Sequence, residues 1–267
     1  MSAMMNWLPF RPKGPLVSVI RLQGAIGATG TGLSDAGTAA MIEKAFRRGK
    51  PAAVAIEINS PGGSPVQSAL IAARIRRLAE EKDIPVIAFV EDVAASGGYW
   101  LAAAADEIIV DRGSIMGSIG VISAGFGAHE LLARNGVERR VHTAGKSKSF
   151  LDPFRPERPE DVARLEGWLE EMHDYFIDHV KTRRGAKLAD DPDLFTGEIW
   201  IGARAVEKGL ADGIGHLVPT LKARFGDKMR LRRHARKRPL LTRFGAGLAQ
   251  DALGGIEERA GFARFGL

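Results

Sequence analysis

Ser96 stands in the stretch "DVAASGGYWLAAAADEIIV" (92–110), between two alanines and two glycines and just ahead of a run that reads as a helix. A serine on a sharp turn into a helix N-terminus exposes its hydroxyl, and the amide of the next residue, Gly97, then points toward an anion formed beside it. A second turn, "INSPGGS" (58–64), ends another apolar run, and its Gly62 and Gly63 let a backbone approach with no side chain in the way. Two facing N–H groups would make an oxyanion hole, so the pair of turns suits acyl transfer. Each turn taken singly is also an ordinary packing corner.

A serine hydroxyl needs a base. The six histidines, His129, His142, His173, His179, His216 and His234, stand in no triad-like setting. His173 and His179, six apart on a helix, face different ways, and no histidine pair has the spacing of a zinc site. The stretch "HTAGKSKSFLDPF" (142–154) offers Lys146 and Lys148 after a glycine turn. A lysine can act as base where burial lowers its pKa from about 10.4 toward neutrality, and a solvated loop lysine cannot. Residue types alone leave both lysines open in both senses.

These residues need elements to carry them. Apolar, β-branched runs predict strands at 16–22, 52–58, 85–90, 107–110, 119–123 and 137–143. A helix is expected from about Ser34 to Arg48, and another from Pro65 to Lys82 with Ile71, Ile75 and Leu78 on one face. A long amphipathic helix over 160–182 carries Val162, Leu165, Leu169, Met172, Phe176 and Val180 in one stripe. Strands alternating with helices indicate an α/β fold with a mainly parallel sheet, in which residues at the carboxyl ends of strands converge on one crevice. Past Gly215 the pattern loosens, and 244–267, with six glycines, reads as a weakly ordered or docking tail.

At 267 residues, 45% apolar and 26% charged, the chain has globular composition. It has no cysteine, which excludes disulfides, thiolate metal sites and cysteine nucleophiles. No apolar run reaches the roughly 18–20 residues that cross a bilayer, and "MSAMMNWLPFRPKGP" lacks the apolar core and cleavage site of a secretory signal. The expectation is a cytoplasmic or peripherally membrane-associated protein. "MMNWLPFRP" has the mixture of an interfacial anchor or of a buried arm. From Lys222 to Arg243 there are ten Lys/Arg against one acidic residue, more than the whole net charge of +6. Such a stretch suits a solvated tail, an anionic membrane or nucleic acid.

Five motifs taken in order, "INSPGG", "AASGGYWLA", "GSIMGSIGVI", "AGKSK" and "FTGEIWIGARAVEKGLADGIG", resemble the signal peptide peptidase A family of serine–lysine peptidases, including its shorter SohB-like members. The resemblance covers about residues 15–218. It implies an α/β, Clp protease/crotonase-like superhelix of βαβ units with a C-terminal basic tail: an N-terminal arm (1–15), a peptidase domain (16–218) and the tail (219–267). It implies Ser96 as nucleophile, Lys148 (ending the G-x-x-K pattern) as base in preference to Lys146, and Ser118 as the residue that orients the lysine amine. The oxyanion donors would be the amides of Gly62 or Gly63 and of Gly97. The implied activity is a serine endopeptidase that hydrolyses extended apolar peptides, such as signal-peptide remnants, through an acyl-enzyme and without metal or other cofactor. It also implies a homo-oligomeric ring, commonly of eight, in which a neighbouring subunit supplies the lysine. The rival readings are a crotonase-type acyl-CoA enzyme using Glu91 or Asp92 as acid/base, a catalytically idle membrane-associated ring, and nucleic-acid binding through the basic stretch.

Overall fold

The computed structural model describes residues 14–27, 32–145, 147–235 and 261–267. In chain order the elements are β1 (Leu16–Gln23), α1 (Asp35–Arg47), β2 (Ala53–Ser60), α2 (Pro65–Lys82), β3 (Val86–Ala95), α3 (Gly97–Ala103), β4 (Glu107–Val110), β5 (Ile115–Gly117), α4 (His129–Arg134), α5 (Pro159–Arg184), β6 (Ile199–Ile201), α6 (Ala203–Glu207), β7 (Gly213–Ile214), α7 (Leu217–Phe225) and β8 (Arg230–His234). They fall into two compact units. One runs up to Ile119 and resumes at His179; the other is Gly120–Asp178.

The first unit is built on a sheet of order β6-β5-β3-β2-β1-β8, with β4 beside the first half of β3 and β7 beside β4. Its pairings are parallel except β5 with β6. β2 is buried along its whole length, as expected of a strand covered on both faces. One face packs Val17, Val19, Ala53, Ala55, Ile87, Phe89 and Ile109 against Leu217 and Leu221 of α7. On the other lie α1 beside β1 and α3 beside β2 and β3, with α2 between the two helices. Ser34 caps α1 through its side chain, and Ser64, followed by Pro65, caps α2.

β3 does the work of two strands. Ile87–Val90 pair with β4, and Val93–Ala95 with β5, so the strand crosses from one neighbour to the next just before Ser96. The register against β2 also shifts between Ile58 and Ser60. That irregularity brings the ends of β2 and β3, with their glycine turns, to the same rim of the sheet.

Three sequence expectations differ from this architecture. Residues 119–123 and 137–143, expected as strands, form no strand among the described residues. Strand periodicity shows which faces a segment offers, and a strand also needs a neighbour. Residues 217–234, read as a loosening pattern leading into a basic tail, form α7 and β8. β8 aligns with β1 from Leu16 against Arg230 to Ile20 against His234, which closes an otherwise open sheet edge. Within it Arg233 pairs with Glu57 and Arg232 donates to the Arg48 carbonyl, so part of the basic run is spent inside the fold. Residues 236–260 lie outside the described ones.

In the second unit, Gly120–Asp178, Asp161 and Phe176 are the only buried residues among those described. Arg158 and Asp161 pair at 2.5 Å near the start of α5, and Phe150 packs on Trp168 with ring centroids 5.1 Å apart.

Candidate active site

Ser96 adopts φ 51°, ψ −123°, a conformation that costs a non-glycine residue about 1–3 kcal/mol. It is held there from both sides: its N–H donates to the Gly117 carbonyl at 2.9 Å, and its own carbonyl accepts from Trp100 N–H at 3.0 Å. The side chain is half-buried and caps nothing in α3.

The Gly62–Gly63 turn lies directly against this corner. A Cβ at Gly62 would sit 2.8 Å from Gly97 N, from the Ala95 carbonyl oxygen and from Ser96 Cβ; one at Gly97 would sit 2.4 Å from Ser68 Oγ and 3.4 Å from Gly63 N. Gly62 must be glycine for the two backbones to meet, and Gly97 must be glycine to clear the Ser68 side chain. Ile26 braces the turn through its N–H to the Gly62 carbonyl and its carbonyl to Ser64 N–H, both 2.8 Å. That bridging leaves the N–H of Gly63 pointing away. Gly62 N–H donates to Ser60 Oγ at 3.3 Å, whereas neither Gly63 nor Gly97 N–H meets an acceptor among the described residues. The sequence reading did not assign Ile26 a part; its signal was the unexplained "GAIGATG" loop after β1.

Ser118 also has positive φ, 52°, and its N–H donates to the Glu198 carbonyl at 2.7 Å. It follows Gly117, whose carbonyl fixes Ser96, so the first unit brings Ser96, Gly97, Gly62, Gly63 and Ser118 to one rim. Lys148 belongs to the other unit, in a turn where its N–H meets the Gly145 carbonyl at 3.2 Å, and it is exposed. Lys146 lies outside the described residues.

Within the first unit, three histidines have other partners or places. His179 stacks on Trp100 (4.8 Å between centroids, 14° between planes), and its Nε2 donates to the Trp100 carbonyl at 3.1 Å. Burial lowers its pKa to about 4; the carbonyl acts against that shift and Arg183 with it. His216 pairs with Asp111 at 2.8 Å, and His234 is buried in β8. The carboxylates that an acyl-CoA reading requires are engaged as well: Glu91 with Arg21 at 2.7 Å, and Asp92 with Asn59 Nδ2 at 2.6 Å.

Residues 79–224 match the model of peptidase family S49. A Brucella melitensis protein named Na(+)/H(+) antiporter NhaA is 50% identical over 97% of this chain, which spans 38% of its length. The Arabidopsis thaliana chloroplastic serine protease SPPA is 33% identical over 75% of this chain and 31% of its own. The chain thus spans about a third of each relative. Among the described residues no helix is long and apolar enough to cross a membrane. The solved structure of a 1510-N membrane-bound stomatin-specific protease, a mutant in complex with a substrate peptide, superposes with a TM-score of 0.53 at 15% identity, covering 91% of this chain and 98% of the other. The fold is therefore the Clp protease/crotonase-like one anticipated from the motifs, and the family match spans both the serine corner and the G-x-x-K stretch. The chain belongs to peptidase family S49, among the peptidases related to signal peptide peptidase A and SohB.

Proposed function

We propose that the chain is the catalytic part of a serine endopeptidase in which Ser96 attacks the scissile carbonyl and Lys148 takes its proton. The observation that carries this reading is the strained Ser96 beside two N–H groups, of Gly63 and Gly97, without acceptors. A carbonyl oxygen placed between them would gain both hydrogen bonds as it becomes an oxyanion, which favours the transition state over the ground state. Gly62, whose N–H is occupied by Ser60, shapes the turn. Collapse of the tetrahedral adduct breaks the C–N bond while Lys148 returns the proton to the leaving amine. A water deprotonated by the same lysine then attacks the ester, and Ser96 leaves as its hydroxyl is reprotonated. The cycle closes with no cofactor.

Ser118 would hold the lysine amine toward Ser96. An exposed Lys148 in its own unit fits a dyad completed on assembly, when a neighbouring subunit excludes water from the amine. The second unit also exposes Ile122, Phe126, Leu131, Val137, Phe154, Trp168 and Tyr175, more apolar surface than a solvated subunit needs. The substrate would be an extended apolar peptide, bound by strand addition beside Ser96.

The test is subunit mixing. Ser96→Ala and Lys148→Ala chains, each inactive alone, should regain partial cleavage of an internally quenched apolar peptide when exchanged into mixed assemblies. Mixed assemblies that stay inactive would contradict a dyad shared between subunits; a Lys148→Ala chain that cleaves unaided would remove Lys148 as the base.

A further inference from the structure

The apolar floor beside Ser96 is not open. Val93 and Ala95 of β3 and Ile115 of β5 form a small cluster, and Phe262 and Phe265 pack against it. Ala95 directly precedes Ser96, and Ile115 is the register partner of Val93. The same short segment reaches the other half of the site: a Cβ at Gly261 would lie 3.1 Å from Pro61 Cγ and 3.7 Å from Pro61 Cβ, and Pro61 begins the glycine turn. Its far end, Leu267, lines a cavity of about 390 Å³ together with Glu91, Asp92, Asp111 and His216. One seven-residue stretch thus touches both strand ends that carry the candidate chemistry.

We infer that Gly261–Leu267 is a built-in plug: it occupies the apolar floor on which a substrate side chain next to the scissile bond would rest, and it must leave before such a peptide binds. This rests on the peptidase reading of Ser96. The segment is folded, not extended. Phe265 N–H donates to the Phe262 carbonyl at 2.9 Å, Gly266 N–H to Ala263 at 3.1 Å and Leu267 N–H to Phe262 at 3.3 Å. Those amides are therefore unavailable for pairing with a strand edge, so the segment blocks the floor without presenting its own peptide bond for attack. Two phenylalanines give it affinity for the same surface that an apolar substrate needs, and tethering to the chain raises its effective concentration far above that of a free peptide. Cleavage is then gated by whatever draws the segment off.

The chain lacks cysteine, which allows a clean test. The separation at Pro61 and Gly261 falls within the Cβ–Cβ range of a disulfide, about 3.5–4.5 Å. A Pro61→Cys/Gly261→Cys chain should form an intrachain disulfide, seen as loss of maleimide-reactive thiols in a chain that stays monomer-sized on a non-reducing gel. Its cleavage of an internally quenched apolar peptide should fall at least tenfold on oxidation and recover on reduction. In a separate chain, Phe262→Asp/Phe265→Asp should lower KM for that peptide about three- to tenfold with kcat unchanged. No intrachain disulfide, or equal cleavage by the oxidised and reduced forms, would overturn the inference, as would an unchanged or raised KM in the Asp variant with its thermal unfolding intact. Failure of the peptidase reading looks different: the disulfide forms, yet neither redox form, nor the parent chain, cleaves peptides or reacts with a fluorophosphonate.

Discussion

Ser96 holds an unfavourable backbone geometry that nothing in its packing requires of a serine. Replacing it by glycine should therefore stabilise the fold while removing the hydroxyl proposed to attack. Relief of about 1–3 kcal/mol of strain, less about 0.5–1 kcal/mol for glycine's extra freedom in the unfolded chain, leaves a net gain of about 1 kcal/mol. Thermal or urea unfolding of Ser96→Gly checks this, and a loss of stability would mean that the corner is not strained. Gly63→Ala should act in the opposite sense, because its Cβ would meet the Ile26 carbonyl oxygen at 2.0 Å; both stability and fluorophosphonate labelling should drop. The glycines and Ser96 were legible in the sequence because a turn leaves a chemical signature. Whether Gly62 or Gly63 offers its N–H was not, since that follows from where Ser60 Oγ and the Ile26 backbone lie in space.

Helices α1 and α2 were readable to within a residue or two, their capping serines and apolar stripes agreeing with one another. The contacts that anchor α3 were not readable, because they join residues far apart in the chain. His179, near the end of α5, stacks on Trp100 of α3. Its pKa is depressed, so the unfolded chain binds the proton more readily: the stabilisation is complete above about pH 6.5 and is lost as pH falls toward about 4. His179→Phe, which keeps the stack and removes the titration, should flatten the stability profile across that window, as measured by urea unfolding from pH 4 to 7. Five residues further along, Arg184 pairs with Asp212 at 2.8 Å and is only 2% exposed. Burial pushes the Asp212 carboxyl up, but hydrogen bonds from Arg184, Lys187 and the Ile108 amide outweigh it and hold it below the usual carboxylate range. Asp212→Asn leaves the guanidinium buried without its counter-charge and should cost about 3–5 kcal/mol; a loss under 1 kcal/mol would show that the pair is not a structural anchor. This stability should also decline below about pH 4, as the carboxyl takes up its proton.

At the level of the whole molecule, the first unit has a buried core and a preformed rim of strained turns, while the second, which carries Lys148, leaves much of its apolar surface in solvent. The β-branched residues of 119–123 and 137–143 pointed to strands that do not form among the described residues. The seating of Gly261–Leu267 beside Ser96 had no sequence signal beyond two phenylalanines among glycines. A chain with the plug seated and the base on another subunit should be nearly silent as a dilute monomer, so specific activity should rise with protein concentration as assemblies form. Specific activity independent of concentration, across a range where light scattering shows the oligomer dissociating, would contradict that.

The most direct measurement is covalent labelling with a fluorophosphonate, followed by mass spectrometry of the modified peptide, on the parent, Ser96→Ala and Lys148→Ala chains. The account predicts one adduct, on Ser96, in the parent chain alone. Labelling at another residue, or labelling of Lys148→Ala as fast as the parent, would contradict it.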